Sequence, residues 1–188
     1  MTKQQARNEY LQKRMMLTDG ALRRLNDLLL IGFQQLALPP LQLTHTYLSM
    51  LHRKEPDTEP LIRYLLMRHP GMQIAVPRVV HKQLVQVQLT DALALLPNSW
   101  GIIEPQGGTE IEPEATDLVL TPLLAFDERG YRVGYGKGFY DRFLARCRPD
   151  VIRVGLSFFE PVPLISDTDQ FDIPLNFCIT PQQIYEFG

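Results

Sequence analysis

The chain has little cysteine. Cys147 and Cys178 are the only two in 188 residues, and they do not form a Cys-x-x-Cys pair. That excludes a disulfide framework and reads as a cytosolic protein with free thiols. The four histidines, His45, His52, His69 and His81, show no metal-ligand spacing and no H-E-x-x-H pattern, so no zinc site is read. Long apolar runs are missing. Residues 28–31 and 93–96 are among the longest and are far too short to span a bilayer. The first residues, Met-Thr-Lys-Gln-Gln-Ala-Arg, have no apolar stretch and no small-residue cleavage site, so no secretory signal is expected. There is no internal repeat, no low-complexity segment and no tail of like charge. A net charge of −2 argues against a protein that binds nucleic acid over its whole surface.

What is present fits an ordinary globular domain, with 45% hydrophobic and 21% charged residues. A chain of this length buries about 70% of its unfolded surface and needs no metal or disulfide staple to fold. The charge is uneven. Residues 1–24 carry six Lys/Arg against Glu9 and Asp19, and the rest of the chain is net acidic. Residues 2–17 lack Gly and Pro and read as a first helix. Lys3, Arg7 and Arg14 stand on it at i, i+4 and i+11, which puts them on one face.

Thr18 reads as the N-cap of a second helix, with Leu22, Leu25, Leu29, Phe33 and Leu36 as its buried stripe and Pro39-Pro40 as its stop. Strands are expected at 44–49, 74–76, 84–89 (near a sheet edge), 117–120, 151–156 and finally 176–180. Helices are expected from Asp57-Thr58 to about Arg68 and from about Gly138 to Arg146. Residues 97–116, rich in Gly, Pro and Glu, read as a long loop that holds the single tryptophan, Trp100. Strands alternating with helices give an α/β fold with a largely parallel sheet. The fifteen prolines mark no linker, so one domain over 1–188 is expected.

The densest chemistry lies in Gly130-Tyr131-Arg132-Val133-Gly134-Tyr135-Gly136-Lys137-Gly138-Phe139-Tyr140-Asp141-Arg142, between a buried strand and a helix. Glycines 134, 136 and 138 permit positive φ and close backbone approach. Consecutive N–H groups at such a turn, with a helix start behind them, form an anion nest. Arg132 and Lys137 add positive charge, and Asp141 is placed to hold a Mg²⁺ that bridges phosphates. It is not a Walker A loop, because no Ser or Thr follows the Gly-Lys pair, and its glycine spacing is not the Rossmann fingerprint.

These features together resemble the 5-formyltetrahydrofolate cyclo-ligase family, also called methenyltetrahydrofolate synthetase, over nearly the whole chain. Lys3-Gln4-Gln5-Ala6-Arg7 stands where the family has Lys-x-x-Leu-Arg. Arg14, Leu48-Ser49-Met50, Glu55-Pro56-Asp57-Thr58, Val76-Pro77-Arg78 and the Trp100 to Pro105 loop also match. The most specific match is the 130–142 block, with Val133 for Leu and Phe139 for Tyr. Phe171-Asp172 stands where the family has His-Asp, and Leu175-Asn176 where it has Leu-Asp.

The resemblance implies a three-layer sandwich around a largely parallel sheet, similar to the sugar-phosphate isomerase and CoA-transferase-like folds. It also implies an ATP-dependent ligase that turns 5-formyltetrahydrofolate into 5,10-methenyltetrahydrofolate, as a monomer in the cytoplasm with no nucleic-acid or membrane partner. By the same resemblance, Lys137 and Arg132 are catalytic. ATP is bound by Lys3, Arg7, Arg14, Arg132, Gly134, Tyr135, Gly136, Lys137, Gly138, Phe139 and Tyr140. The folate is bound by Leu48, Glu55, Trp100, Tyr135, Gly136, Lys137, Gly138 and Phe139, and Mg²⁺ by Asp141 and Asp172. Two other readings stay open: an isomerase- or transferase-like α/β enzyme that needs no ATP, and a catalytically weakened folate- or nucleotide-binding protein.

Overall fold

A computed structural model describes residues 1–98 and 102–188. Trp100 lies outside the described residues. The chain opens with α1 (Lys3–Met15), started by a reciprocal cap: the Thr2 hydroxyl accepts from the Gln5 N–H, and the Gln5 side chain accepts from the Thr2 N–H. The Thr18 hydroxyl caps α2 (Asp19–Gln34) by accepting from the Ala21 N–H. Next come β1 (Leu43–His45), a short 3-10 turn at Leu51–Arg53, and α3 (Glu59–Arg68). The Asp57 carboxylate accepts from Glu59 N at the start of α3, while the Thr58 hydroxyl is turned inward to donate to the Tyr47 carbonyl.

After α3 the chain forms β2 (Gln73–Val80), β3 (Gln83–Gln88), β4 (Leu95–Pro97), β5 (Ile103–Pro105), β6 (Glu110–Ile111), β7 (Leu118–Thr121), β8 (Ala125–Phe126) and β9 (Arg132–Val133). The last elements are α4 (Phe139–Leu144), β10 (Ile152–Leu156), β11 (Phe177–Ile179) and β12 (Ile184–Glu186).

Eight strands pair into one sheet in the order β12-β11-β10-β7-β1-β2-β3-β6. The run β11-β10-β7-β1-β2 is parallel, and β12, β3 and β6 add antiparallel margins. This is the expected α/β sandwich. The period-2 alternation of a strand sorts its two faces. Leu118 and Leu120 pack with Leu29, Phe33, Leu61 and Leu65 of α2 and α3. Val119, between them, packs on the other face against Phe143 and Leu144 of α4.

The sequence reading is corrected in several places. β1 covers only two of the residues expected at 44–49, Thr44 and His45, and begins one residue earlier at Leu43. α2 ends at Gln34, well before Pro39, because its last turn tightens into Gln35 N to Gly32 O and Leu36 N to Phe33 O bonds. Residues 97–116 are not one loop. β4 pairs with β5 in a separate ribbon, and β6 forms the sheet margin beside β3. The β8–β9 hairpin and the strand β12 were not expected, and α4 is six residues long rather than nine.

Candidate active site

The strand order fixes where a ligand can enter. From β1 the chain crosses through α3 to β2 on one side. It later returns as β7 on the other side of β1 and continues outward to β10. The crossovers therefore reverse between β1 and β7, and the loops leaving the carboxyl ends of these two strands diverge to leave a crevice. The loop after β1 carries Leu48 and Glu55. The loop after β7 carries the hairpin β8–β9 and the glycine-rich segment. α1 contacts both β8 and β9 and so brings its cationic face to the same end.

Lys3 donates to both carboxylate oxygens of Asp172, at 2.8 and 2.6 Å. Arg7 Nε donates to the Gly134 carbonyl at 3.0 Å, and its guanidinium lies over Gly136, where an added Cβ would come within 3.2 Å of it. Arg14 is buried. It donates to the Leu123 carbonyl at 3.2 Å and to the Tyr135 hydroxyl. Gly136 and Gly138 sit at φ +86° and +63°, the left-handed region that disfavours a side chain. Lys137, between them, is exposed and makes no hydrogen bond or ion pair with the described residues. Phe139 lies under the Arg142 guanidinium, 5.3 Å from centroid to Cζ.

Two acids and two tyrosines lie beneath this loop. Glu55 is buried. It accepts from the Tyr135 hydroxyl at 2.6 Å and from Met50 N at 2.7 Å. Burial pushes its carboxyl above the usual range, and those two donors pull it partly back. Burial also raises the Tyr135 and Tyr140 phenols, and the Glu55 charge adds to both shifts. Arg132 is buried and donates to Asp141 at 2.9 Å and to the Ile173 carbonyl at 2.5 Å; burial lowers its pKa and Asp141 opposes that shift. Asp141 also accepts from Ile173 N at 3.2 Å, which ties it to the residue after Asp172.

Two sequence expectations change in emphasis. Arg14 is on the cationic face, but it is locked beneath the site and bonded to Tyr135. Asp141 and Asp172 are ion-paired with Arg132 and Lys3. Among the described residues no three His, Cys, Asp or Glu side chains gather as a metal cage. A pair of carboxylates still fits Mg²⁺, which takes one or two of them and fills its shell with water and phosphate oxygens. Among the described residues Asp141 Oδ2 makes no hydrogen bond, and the side chain is partly exposed. Residue spacing missed Arg53, whose guanidinium stacks 4.9 Å from the Tyr135 ring centroid, and His45, whose ring reaches Tyr140. The position of Arg53, two residues before Glu55, was the available signal for the first. No pattern in the sequence marked the second.

A doubly wound α/β protein with cationic and glycine-rich loops over its switch point is the class that fold and site define. The model of the 5-formyltetrahydrofolate cyclo-ligase family matches residues 2–176, and the chain belongs to that family. It is a ligase of folate metabolism by that membership. The 5-formyltetrahydrofolate cyclo-ligase of Escherichia coli K12 is 31% identical over 166 residues, covering 82% of this chain and 87% of the relative. The mouse enzyme of the same name is 36% identical over 111 residues, 54% and 52% of the two chains. The solution structure of Aquifex aeolicus 5,10-methenyltetrahydrofolate synthetase superposes with a TM-score of 0.78 at 29% identity, over 99% of this chain and 93% of that one.

Proposed function

We propose that this enzyme uses ATP to close 5-formyltetrahydrofolate to 5,10-methenyltetrahydrofolate, releasing ADP and phosphate, with the site residues in the roles given below. The observation that carries the proposal is Lys137: an exposed ammonium with no hydrogen bond or ion pair among the described residues, held between two positive-φ glycines, the first of which lies against the Arg7 guanidinium. A free cation on a backbone nest is suited to an anion that arrives with the substrate.

The formyl oxygen is a poor leaving group. Transfer of the γ-phosphoryl group to it makes a phosphate ester. The folate N10 then attacks the activated carbon, the ring closes, and phosphate leaves with the oxygen. Phosphoryl transfer asks the protein chiefly for position and charge neutralisation. Lys137 and Arg132 serve the transferring group and the formyl oxygen. Lys3, Arg7 and the 132–140 segment hold the ATP phosphates, with Arg14 bracing Tyr135 from below. Glu55 faces the pterin end, Leu48 and Phe139 supply apolar walls, and Trp100 packs on the folate ring. Asp141 and Asp172 would hold Mg²⁺, which when bound offsets phosphate charge. Asp172 is paired with Lys3, and it would be available to a metal only with that ion pair opened.

The proposal includes one domain over 1–188 and a monomeric enzyme acting in the cytoplasm on two small molecules, with no nucleic-acid or membrane partner. No helix among the described residues is long and apolar enough to cross a membrane. The test is the rise of methenyl absorbance when purified protein meets Mg-ATP and 5-formyltetrahydrofolate. Tight binding of both ligands without any rise would instead make the chain a binding protein.

A further inference from the structure

His45 ends β1 at the switch point and is fully buried, yet it is a polar ring on a parallel strand inside the sheet. Its two nitrogens have different partners. Nδ1 lies 3.0 Å from Gln86 Oε1, and Nε2 lies 3.3 Å from the Tyr140 hydroxyl. The Gln86 amide cannot be turned over, because its Nε2 donates to the Glu112 carbonyl at 3.1 Å and a flipped amide would set two acceptors against each other. Thr116, also fully buried, sits 2.9 Å from that same Nε2. An acceptor therefore faces His45 Nδ1, and Nδ1 must carry the proton. Burial supports a neutral ring, holding the imidazole at about 4. Nε2 is then a bare lone pair, and the Tyr140 O–H must donate to it.

We infer that His45 is a positioning residue: locked by Gln86 as the Nδ1–H tautomer, it accepts the hydrogen bond of the Tyr140 O–H and leaves the phenolic oxygen able to meet a ligand only as an acceptor. An acceptor-only oxygen is unsuited to phosphate, whose oxygens also accept. It suits an N–H donor. Glu55, which accepts from the Tyr135 hydroxyl and from Met50 N, is a second acceptor on the loop after β1, and its charge adds to the upward shift that burial gives the Tyr140 phenol. A ligand edge bearing more than one N–H, the kind a pterin carries, is the complement. The inference rests on the proposed folate reaction and moves Tyr140 from the ATP phosphates to the folate.

Nitrogen-15 NMR of the histidine side chains in the free, full-length protein reads the tautomer directly. Replacing His52, His69 and His81 with Gln in turn assigns the His45 signal. A protonated Nδ1 and bare Nε2 are expected, and the reverse tautomer overturns the inference. This arm needs no turnover, so its failure is distinct from failure of the cyclo-ligase reading. In kinetics, Tyr140→Phe should raise KM for 5-formyltetrahydrofolate about five- to tenfold, the loss of one net hydrogen bond, and leave KM for ATP within about twofold. His45→Phe should do the same and add nothing in the Tyr140→Phe background. His45→Gln, which keeps an acceptor in reach of the phenol, should restore part of the loss. A rise in KM for ATP instead, or additive effects in the double variant, overturns it.

Discussion

Lys137 is the residue on which the proposed chemistry leans most. It is exposed and makes no hydrogen bond or ion pair with the described residues, so Lys137→Ala should change stability by less than about 0.5 kcal/mol. Loss of a cation aimed at developing phosphate charge should lower kcat about 100-fold or more. A melt and a saturating-substrate assay on the same preparation check both halves, and full turnover would remove Lys137 from the reaction. His45 gives a pH prediction. Its folded value of about 4 lies below the ordinary histidine value. Between the two, the unfolded chain binds a proton that the folded chain refuses, so stability is present above about 6.5 and is lost as pH falls toward 4, by about 3 kcal/mol in all. Urea unfolding at neutral and mildly acid pH should show that slope in the wild type and a shallower one in His45→Phe. Equal slopes would mean that His45 is not held neutral.

The glycine-rich turn is the element that distinguishes this fold from a plain α/β sandwich. Gly136→Ala meets two obstacles: a φ of +86° and a Cβ 3.2 Å from the Arg7 guanidinium. It should cost about 1 kcal/mol or more and raise KM for ATP, because Arg7 must move. A variant with unchanged KM would show that the turn does not form the phosphate cradle. The sequence announced this element clearly, because glycine spacing and a following helix are local signals. It announced α1 and the start of α2 equally well, since residues 2–17 lack Gly and Pro and the Thr18 cap is a contact within one turn. It could not announce β8–β9 or β12. Arg132-Val133 and Ile184-Tyr185-Glu186 are too short to show a period, and they become strands through partners such as Phe126 and Cys178 that lie elsewhere in the chain. The 97–116 segment misled for the same reason: Gly and Pro mark its turns, while Glu104 and Ile111 find ladders opposite Leu96 and Gln86. Spacing put Arg14 on the cationic face but could not say that this part of the face is covered.

Across the whole molecule, the first helix and the acidic loop near the carboxyl end close over each other. The Met1 ammonium donates to the Leu164 carbonyl, the Lys3 N–H to Asp167, and the Lys3 ammonium to Asp172. The near-neutral net charge thus conceals a cationic helix docked on an acidic loop beside the glycine turn. If Asp172 leaves Lys3 to share Mg²⁺ with Asp141, Asp172→Asn should shift the Mg²⁺ dependence of turnover to higher concentration. An unchanged titration would leave Asp172 only its ion pair with Lys3. The central claim is that ATP is consumed to activate the formyl oxygen of the folate. Counting ADP and methenyl product in the same reaction tests it most directly. The account predicts one ADP for each methenyltetrahydrofolate and no product when ATP is withheld; product formed without ATP, or ADP released with no methenyl product beside it, would contradict it.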